Sequence, residues 1–227
     1  MSAASSSIIE ISDMVTDTAL LKYMQGDYAP AFALWLPLAE AGDAEAQAWI
    51  GTLFENGQGV ELNLQEAFRW YLRSAELGNR LAQNNVGAMY GLGRGVARDD
   101  AAAAQWFRRA AELGDPHSMF NLAAFLAKGR GVNMDIEEAV IWYRRAAERG
   151  HVQSQARLGY LLSGNDGIKK NRVEAFAWLT LASQQGAGNA LAALEPIVEQ
   201  MSIEEKQAAE ATIAALISSW KRTTESG

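Results

Sequence analysis

Two histidines, a glycine-dense loop and scattered carboxylates are the residues of this 227-residue chain whose types could do chemistry. Gly91-Leu92-Gly93-Arg94-Gly95 resembles a loop whose backbone amides cradle a phosphate. That use requires a loop that leaves a strand and opens a helix. Here the loop follows an apolar stripe of helical period, and sister loops stand at Gly57 and Gly129, so a repeated connector is expected. His117 and His151 offer imidazole nitrogens, but a metal site needs more converging ligands than the sequence supplies. With no cysteine anywhere, thiolate ligands, thiol nucleophiles and disulfides are all removed. No nucleophile stands in an elbow or triad pattern, and no carboxylate pair stands out from the surface acids. The expectation is a chain with no catalytic residue, no cofactor and no metal, and therefore no enzyme.

The elements that carry these residues repeat. Gly-x-Gly-Val stands at Gly57-Gln58-Gly59-Val60, at Gly93-Arg94-Gly95-Val96 and at Gly129-Arg130-Gly131-Val132, and Gly42, Gly78, Gly114, Gly150 and Gly186 keep the same 36-residue interval. Within one unit, Ala46, Ile50, Leu53 and Phe54 form one helical stripe, and Ala67, Trp70, Tyr71 and Ala75 form a second. The two glycines between them permit positive φ and stop the first helix. A unit is thus helix, connector, helix, and such units bury their apolar faces only against neighbours. Small residues recur inside the first helix at Gly51, Gly87, Ala123 and Gly159. Because Gly in a helix costs about 1 kcal/mol relative to Ala, close packing is expected there, with Trp70, Trp106, Trp142 and Trp178 as the large partners.

The full pattern, Val86-Gly87-Ala88-Met89-Tyr90, then Gly93 to Val96, then Trp106-Phe107-Arg108-Arg109-Ala110-Ala111-Glu112-Leu113-Gly114, resembles the sel-one-like repeat, a tetratricopeptide-like α/α family. The resemblance implies an all-α, right-handed superhelical solenoid of about twelve helices. Residues 44–187 hold four units (44–79, 80–115, 116–151 and 152–187), and a degenerate unit occupies 8–43. The fourth unit drifts, with Asn165-Asp166-Gly167-Ile168 in place of Gly-x-Gly-Val. Residues 188–222 read as a pair of capping helices. Residues 1–7 and 223–227 are expected to be disordered, and the unbroken period predicts a single elongated body.

The net charge of −7 is lopsided: residues 1–60 carry eight acids against Lys22, whereas the remainder holds 19 acids and 19 bases. Asp13, Asp17, Asp27 and Glu45 mark this acidic end, a surface that would steer a basic partner. Nucleic acid is not an expected partner, since phosphates call for clustered cations. Arg73, Arg108, Arg109, Arg144 and Arg145 sit near helix C-termini and are expected on a solvated outer face. No apolar run approaches the roughly 20 residues of a membrane span, and the N-terminus lacks a secretory pattern. A cytoplasmic protein without membrane contact, most simply a monomer, is expected.

What remains is a surface. If the register follows tetratricopeptide repeats, the first helix of each unit builds an inner wall from Trp49, Thr52, Asn84, Asn85, Phe120, Asn121, Arg157 and Tyr160. In the related repeats an Asn amide at the Asn85 and Asn121 position holds the backbone of an extended peptide, and it can also tie helix to helix. Trp49, Phe120 and Tyr160 are large aromatics that supply binding area at low entropic cost. The functional expectation is an adaptor or scaffold that takes another protein or an extended peptide in its concave groove. The alternative is an immunity protein that neutralises a bacterial toxin or lipolytic effector.

Overall fold

A computed structural model describes residues 3–164 and 168–225, with side chains described for 14–164 and 168–220. Among the described residues there are twelve helices and no strand: α1 (Ala3–Met24), α2 (Tyr28–Glu40), α3 (Ala44–Asn56), α4 (Leu64–Glu76), α5 (Arg80–Leu92), α6 (Asp100–Glu112), α7 (Pro116–Lys128), α8 (Ile136–Glu148), α9 (Val152–Leu162), α10 (Arg172–Gln184), α11 (Gly188–Gln200) and α12 (Ile203–Glu225). They form an all-α repeat fold with the 36-residue period. The chain divides into two compact units, Met1–Leu113 and Gly114–Gly227, rather than the single body expected. The division falls at a repeat boundary, where the period carries no mark of it.

Short polar residues start the helices, again 36 apart. The side chains of Asp43, Asn79 and Asp115 accept the N–H groups of Ala46, Ala82 and Ser118 at 2.7, 2.9 and 2.6 Å. Those of Asn63, Asp99, Asp135 and Asn171 do the same for α4, α6, α8 and α10. Each such cap contributes about 1 kcal/mol. Gly57, Gly93 and Gly129 close α3, α5 and α7 in the left-handed region, with φ of 63°, 68° and 63°. Ser202 opens α12 with a reciprocal box, its hydroxyl accepting Glu205 N–H while Glu205 accepts Ser202 N–H.

The paired helices approach at the small residues, but the partner differs from the expected tryptophan. A Cβ placed on Gly51 would stand 2.8 Å from the Tyr71 ring, one on Gly87 2.8 Å from Phe107, and one on Gly159 2.6 Å from Leu179. The reason is helical phase. Tyr71 lies four residues from both Ala67 and Ala75, which are fully or almost fully buried, so it projects from the centre of the contact stripe and the Trp stands to one side. The tryptophans still pack inward: Trp178 is 2% exposed, Trp70 and Trp142 are buried, and Trp106 is half-buried. Arg73, Arg109 and Arg145 lie over the rings of Trp70, Trp106 and Trp142 at 4.7, 4.5 and 4.6 Å. Those arginines therefore cover aromatic surface, as expected of cations that can bury their stems.

Two further devices join successive helix pairs. Gln47, Gln83 and Gln155 donate to the carbonyls of Ala39, Ala75 and Ala147 at 3.0, 3.1 and 3.3 Å, a second hydrogen bond on carbonyls that already accept the N–H groups of Gly42, Gly78 and Gly150 in the last turns of α2, α4 and α8. The second connector glycine abuts backbone of the preceding repeat: Gly59 meets Tyr28 and Ala29, and Gly95 meets Leu64.

Two terminal expectations shift. Helix α1 begins at Ala3, inside the stretch expected to be disordered, because no Gly or Pro interrupts it before Gly26. Helix α12 runs to Glu225. Residues 1–2 and 226–227 lie outside the described residues, as do residues 165–167 of the drifting fourth connector.

Gly95→Ala should lower stability by about 3 kcal/mol, since a Cβ there would overlap the Leu64 carbonyl oxygen at positive φ. Gly78→Ala, also at positive φ but with open space around it, should lose only about 1 kcal/mol. Denaturant unfolding of the two variants checks the difference, and equal losses would mean that the connector contact contributes nothing. By the same measurement Phe107→Ala should cost about 3 to 5 kcal/mol and Trp106→Ala clearly less.

Candidate protein-binding grooves

Each unit carries a groove lined by residues of its first helices. In the first unit a groove of about 430 Å³ is bounded by Ala48, Trp49, Thr52, Tyr71, Asn79 and Asn85, with Glu45, Arg80 and Leu81 at its edge. Trp49 shows only part of its surface there. One face stacks on the buried Trp35 at 4.9 Å with planes 1° apart, and its ring also meets Tyr23. Thr52 Oγ1 lies 3.0 Å from the Tyr71 hydroxyl, which donates to Glu55 at 2.9 Å. Burial pushes the Tyr71 phenol well above its usual pKa, with Glu55 adding to the shift while bonds from Thr52 and Asn85 oppose it. Asn85 lines the groove beside Tyr71. Glu55 in turn pairs with Arg94 at 3.1 Å.

That pairing gives the glycine-dense loop a structural use. Gly93 and Arg94 both turn their N–H groups to the Met89 carbonyl, closing α5, and the Arg94 guanidinium is directed to Glu55. Amides committed to a helix C-terminus are not aimed at a phosphate.

The second unit holds a larger groove of about 1020 Å³. Phe120, Tyr143, Arg157 and Tyr160 are its aromatic and cationic lining, and Leu179, Gln185, Asn189 and Ala193 line it as well. Arg157 lies 5.3 Å from the Tyr160 ring centre and bonds the Tyr143 phenol. Burial raises the Tyr143 pKa, and the Arg157 charge opposes that shift. Tyr160 is 40% exposed.

The inner-wall positions therefore divide. Trp49, Thr52 and Asn85 meet in the first groove and Phe120, Arg157 and Tyr160 in the second. Asn84 and Asn121 are half-buried, each engaged in an interaction, and line neither groove. Tyr71 and Tyr143 were missed. They come from the second helix of each pair, and the aromatic that follows Trp70, Trp106 and Trp142 was the signal that could have found them. Of the acidic end, Glu45 and Asp17 are exposed, and Asp27 is exposed but paired with Lys22 at 3.1 Å. The side chain of Asp13 lies outside the described residues.

The two histidines do meet. Their rings stand edge to face at 4.9 Å, with Phe120 5.1 Å from His151. Among the described residues no group of three ligating side chains converges there or elsewhere. His151 instead caps α9, its Nδ1 accepting Ser154 N–H at 3.3 Å and facing the Ser154 hydroxyl at 2.9 Å. Burial, then the neighbouring His117 charge, lowers its pKa to about 4 against the pull of Asp115.

Among the described residues no helix is long and apolar enough to cross a membrane. Residues 44–79, 80–115, 116–151 and 152–186 each match the Sel1 repeat. A Sel1 repeat protein from Oxalobacter formigenes is 31% identical, with a TM-score of 0.74 covering 79% of this chain and 74% of that one. The protective antigen c5321 of uropathogenic Escherichia coli, which displays an SLR fold, is 29% identical with a TM-score of 0.57. The match takes in 87% of this chain and 51% of that protein. The immunity protein Pa5087 from Pseudomonas aeruginosa shares the fold at 17% identity, with a TM-score of 0.51 over 90% of this chain and 81% of that one. Comparison with curated protein sequences returns no match.

The His151 cap gives a pH test. The unfolded imidazole takes up a proton near pH 6.5, whereas the folded one resists until about pH 4. Stability contributed by neutral His151 is complete above that window and is lost as pH falls through it. The thermal midpoint should therefore drop between pH 6.5 and pH 4.5, and His151→Asn, the residue type at the equivalent Asn79, should flatten the drop. An unchanged pH profile in that variant would contradict the assignment.

Proposed function

This chain belongs to the Sel1 repeat family, whose members generally mediate protein–protein interaction, and from that premise we propose that it is a non-catalytic adaptor or scaffold whose grooves take a partner protein. The observation that carries the reading is that partly exposed aromatics line an open groove in each unit, Trp49 in one and Phe120 and Tyr160 in the other, while Tyr71 and Tyr143 border the grooves as buried residues. Aromatics held by neighbouring contacts lose little entropy on binding, and such residues dominate interface energetics. The amides of Asn85 and Asn189 supply donors and acceptors for a partner's backbone, and Gln185, whose amino group bonds Gln155 and Leu181, supplies its oxygen as an acceptor.

The acidic excess of residues 1–60 supports a second reading, an inhibitor that intercepts a basic toxin or effector. In that reading Asp17 and Glu45 act mainly on encounter, so raised salt or their neutralisation slows association more than it speeds dissociation.

The test is affinity capture from native cell extract, identification of the co-purifying protein and its titration against variants. Leu81 is 59% exposed and Tyr160 40%, so Leu81→Ala and Tyr160→Ala should leave the thermal midpoint nearly unchanged. At least one of them should weaken the captured partner by about 1 to 3 kcal/mol. Unchanged affinity in both would move the interface off the grooves.

A further inference from the structure

The two grooves differ in charge, and the difference selects a partner. In the first unit the lining carries one charge of each sign, Glu45 and Arg80. In the second the charged lining residues are Lys128 and Arg157, and the lining includes no carboxylate. Arg157 stays protonated at any working pH, and its position is fixed by the Tyr143 phenol and the Tyr160 ring. The chain's acidity does not oppose an anionic occupant here, because residues 114–227 hold 13 acids and 12 bases. The remaining surface is apolar, with Phe120, Leu179 and alanines from α7, α9 and α11, interrupted by the neutral amides of Gln153, Gln185 and Asn189. The volume lies at the upper end for sites that bury a drug-sized ligand, enough for several side chains of a peptide.

We propose that the groove of the second unit binds an extended protein segment in which an acidic side chain stands beside bulky apolar ones, the carboxylate meeting Arg157 and Lys128 and the apolar groups meeting Phe120 and Tyr160. The proposal rests on the protein-binding reading above and adds the partner's chemistry to it. Planar guanidinium recognises carboxylate by paired hydrogen bonds, while an ammonium adds a mobile point charge. The cations give selectivity for acidic over basic segments, and the aromatic wall gives most of the contact area.

Selection of a displayed random peptide library on the whole protein tests this directly. The selected peptides should be enriched in Asp and Glu next to Phe, Leu or Trp, and should compete with one another. They should bind at least about tenfold more weakly to Arg157→Gln, whose thermal midpoint is checked alongside. The double reversal Lys128→Glu with Arg157→Glu should select basic peptides from the same library, a gain that a misfolded protein would not give. Neutral or basic peptides selected on the parent would overturn the proposal, as would acidic ones that bind the reversed variant equally well. Concentration-dependent dimers in sedimentation that vanish in Tyr160→Ala would overturn it too, by filling the groove with a second copy. Selected peptides displaced only by Leu81→Ala would overturn it and leave the broader protein-binding reading standing. A library that yields no binder would overturn both.

Discussion

The structure depends on one close contact, repeated every 36 residues: a small residue in the first helix of a pair lying under a large side chain of the second. Tyr71 over Gly51, Phe107 over Gly87 and Leu179 over Gly159 leave no room for a Cβ without displacement of a buried group. Gly in a helix interior costs about 1 kcal/mol, so the glycines persist against local preference because tertiary contact outweighs it. Once that contact fixes the pair, Asx caps set where α3 to α8 and α10 begin, and left-handed glycines set where α3, α5 and α7 turn. The second connector glycine and the buried glutamines then fix the next pair. The grooves are a consequence, since a first helix that gives one face to its partner leaves another face for Trp49, Phe120 and Tyr160.

Much of this was legible in the sequence, because periodic constraints write themselves repeatedly. The helix pairs, the connectors, the two helices after the last repeat and the all-α class follow from apolar spacing and from glycine. What was not legible depended on phase and on contacts between residues far apart. Gly51 was expected to meet Trp70, yet the residue one position later stands opposite it. A shift of one residue rotates a side chain by about 100°, and a list of apolar residues does not reveal which of two adjacent aromatics points inward. The division at Leu113 and Gly114 left no trace for a similar reason, since it coincides with a boundary present in every repeat.

The residues that looked most chemical have structural occupations. The loop around Gly93 spends its amides on the Met89 carbonyl, and its Arg94 neutralises Glu55 beneath the Tyr71 hydroxyl. His151 takes the capping position that Asp43, Asn79 and Asp115 take elsewhere. Position in the repeat therefore predicts the role of these residues better than residue type does. Of the candidate site residues, Trp49, Phe120, Arg157 and Tyr160 line the two grooves, whereas Asn84 and Asn121 line neither. Tyr71 packs on Gly51 and borders the first groove, so the contact on which the fold depends also shapes that groove.

The central claim is that the groove-lining aromatics, rather than the exposed apolar residues elsewhere, form the interface. Hydroxyl-radical footprinting of the protein alone and saturated with its captured partner measures this residue by residue. The account predicts protection of Trp49 or Tyr160 in the complex, while Leu92, Met134 and Ile141, exposed outside both grooves, react as before. Protection confined to those outer residues, with Trp49 and Tyr160 unchanged, would contradict it.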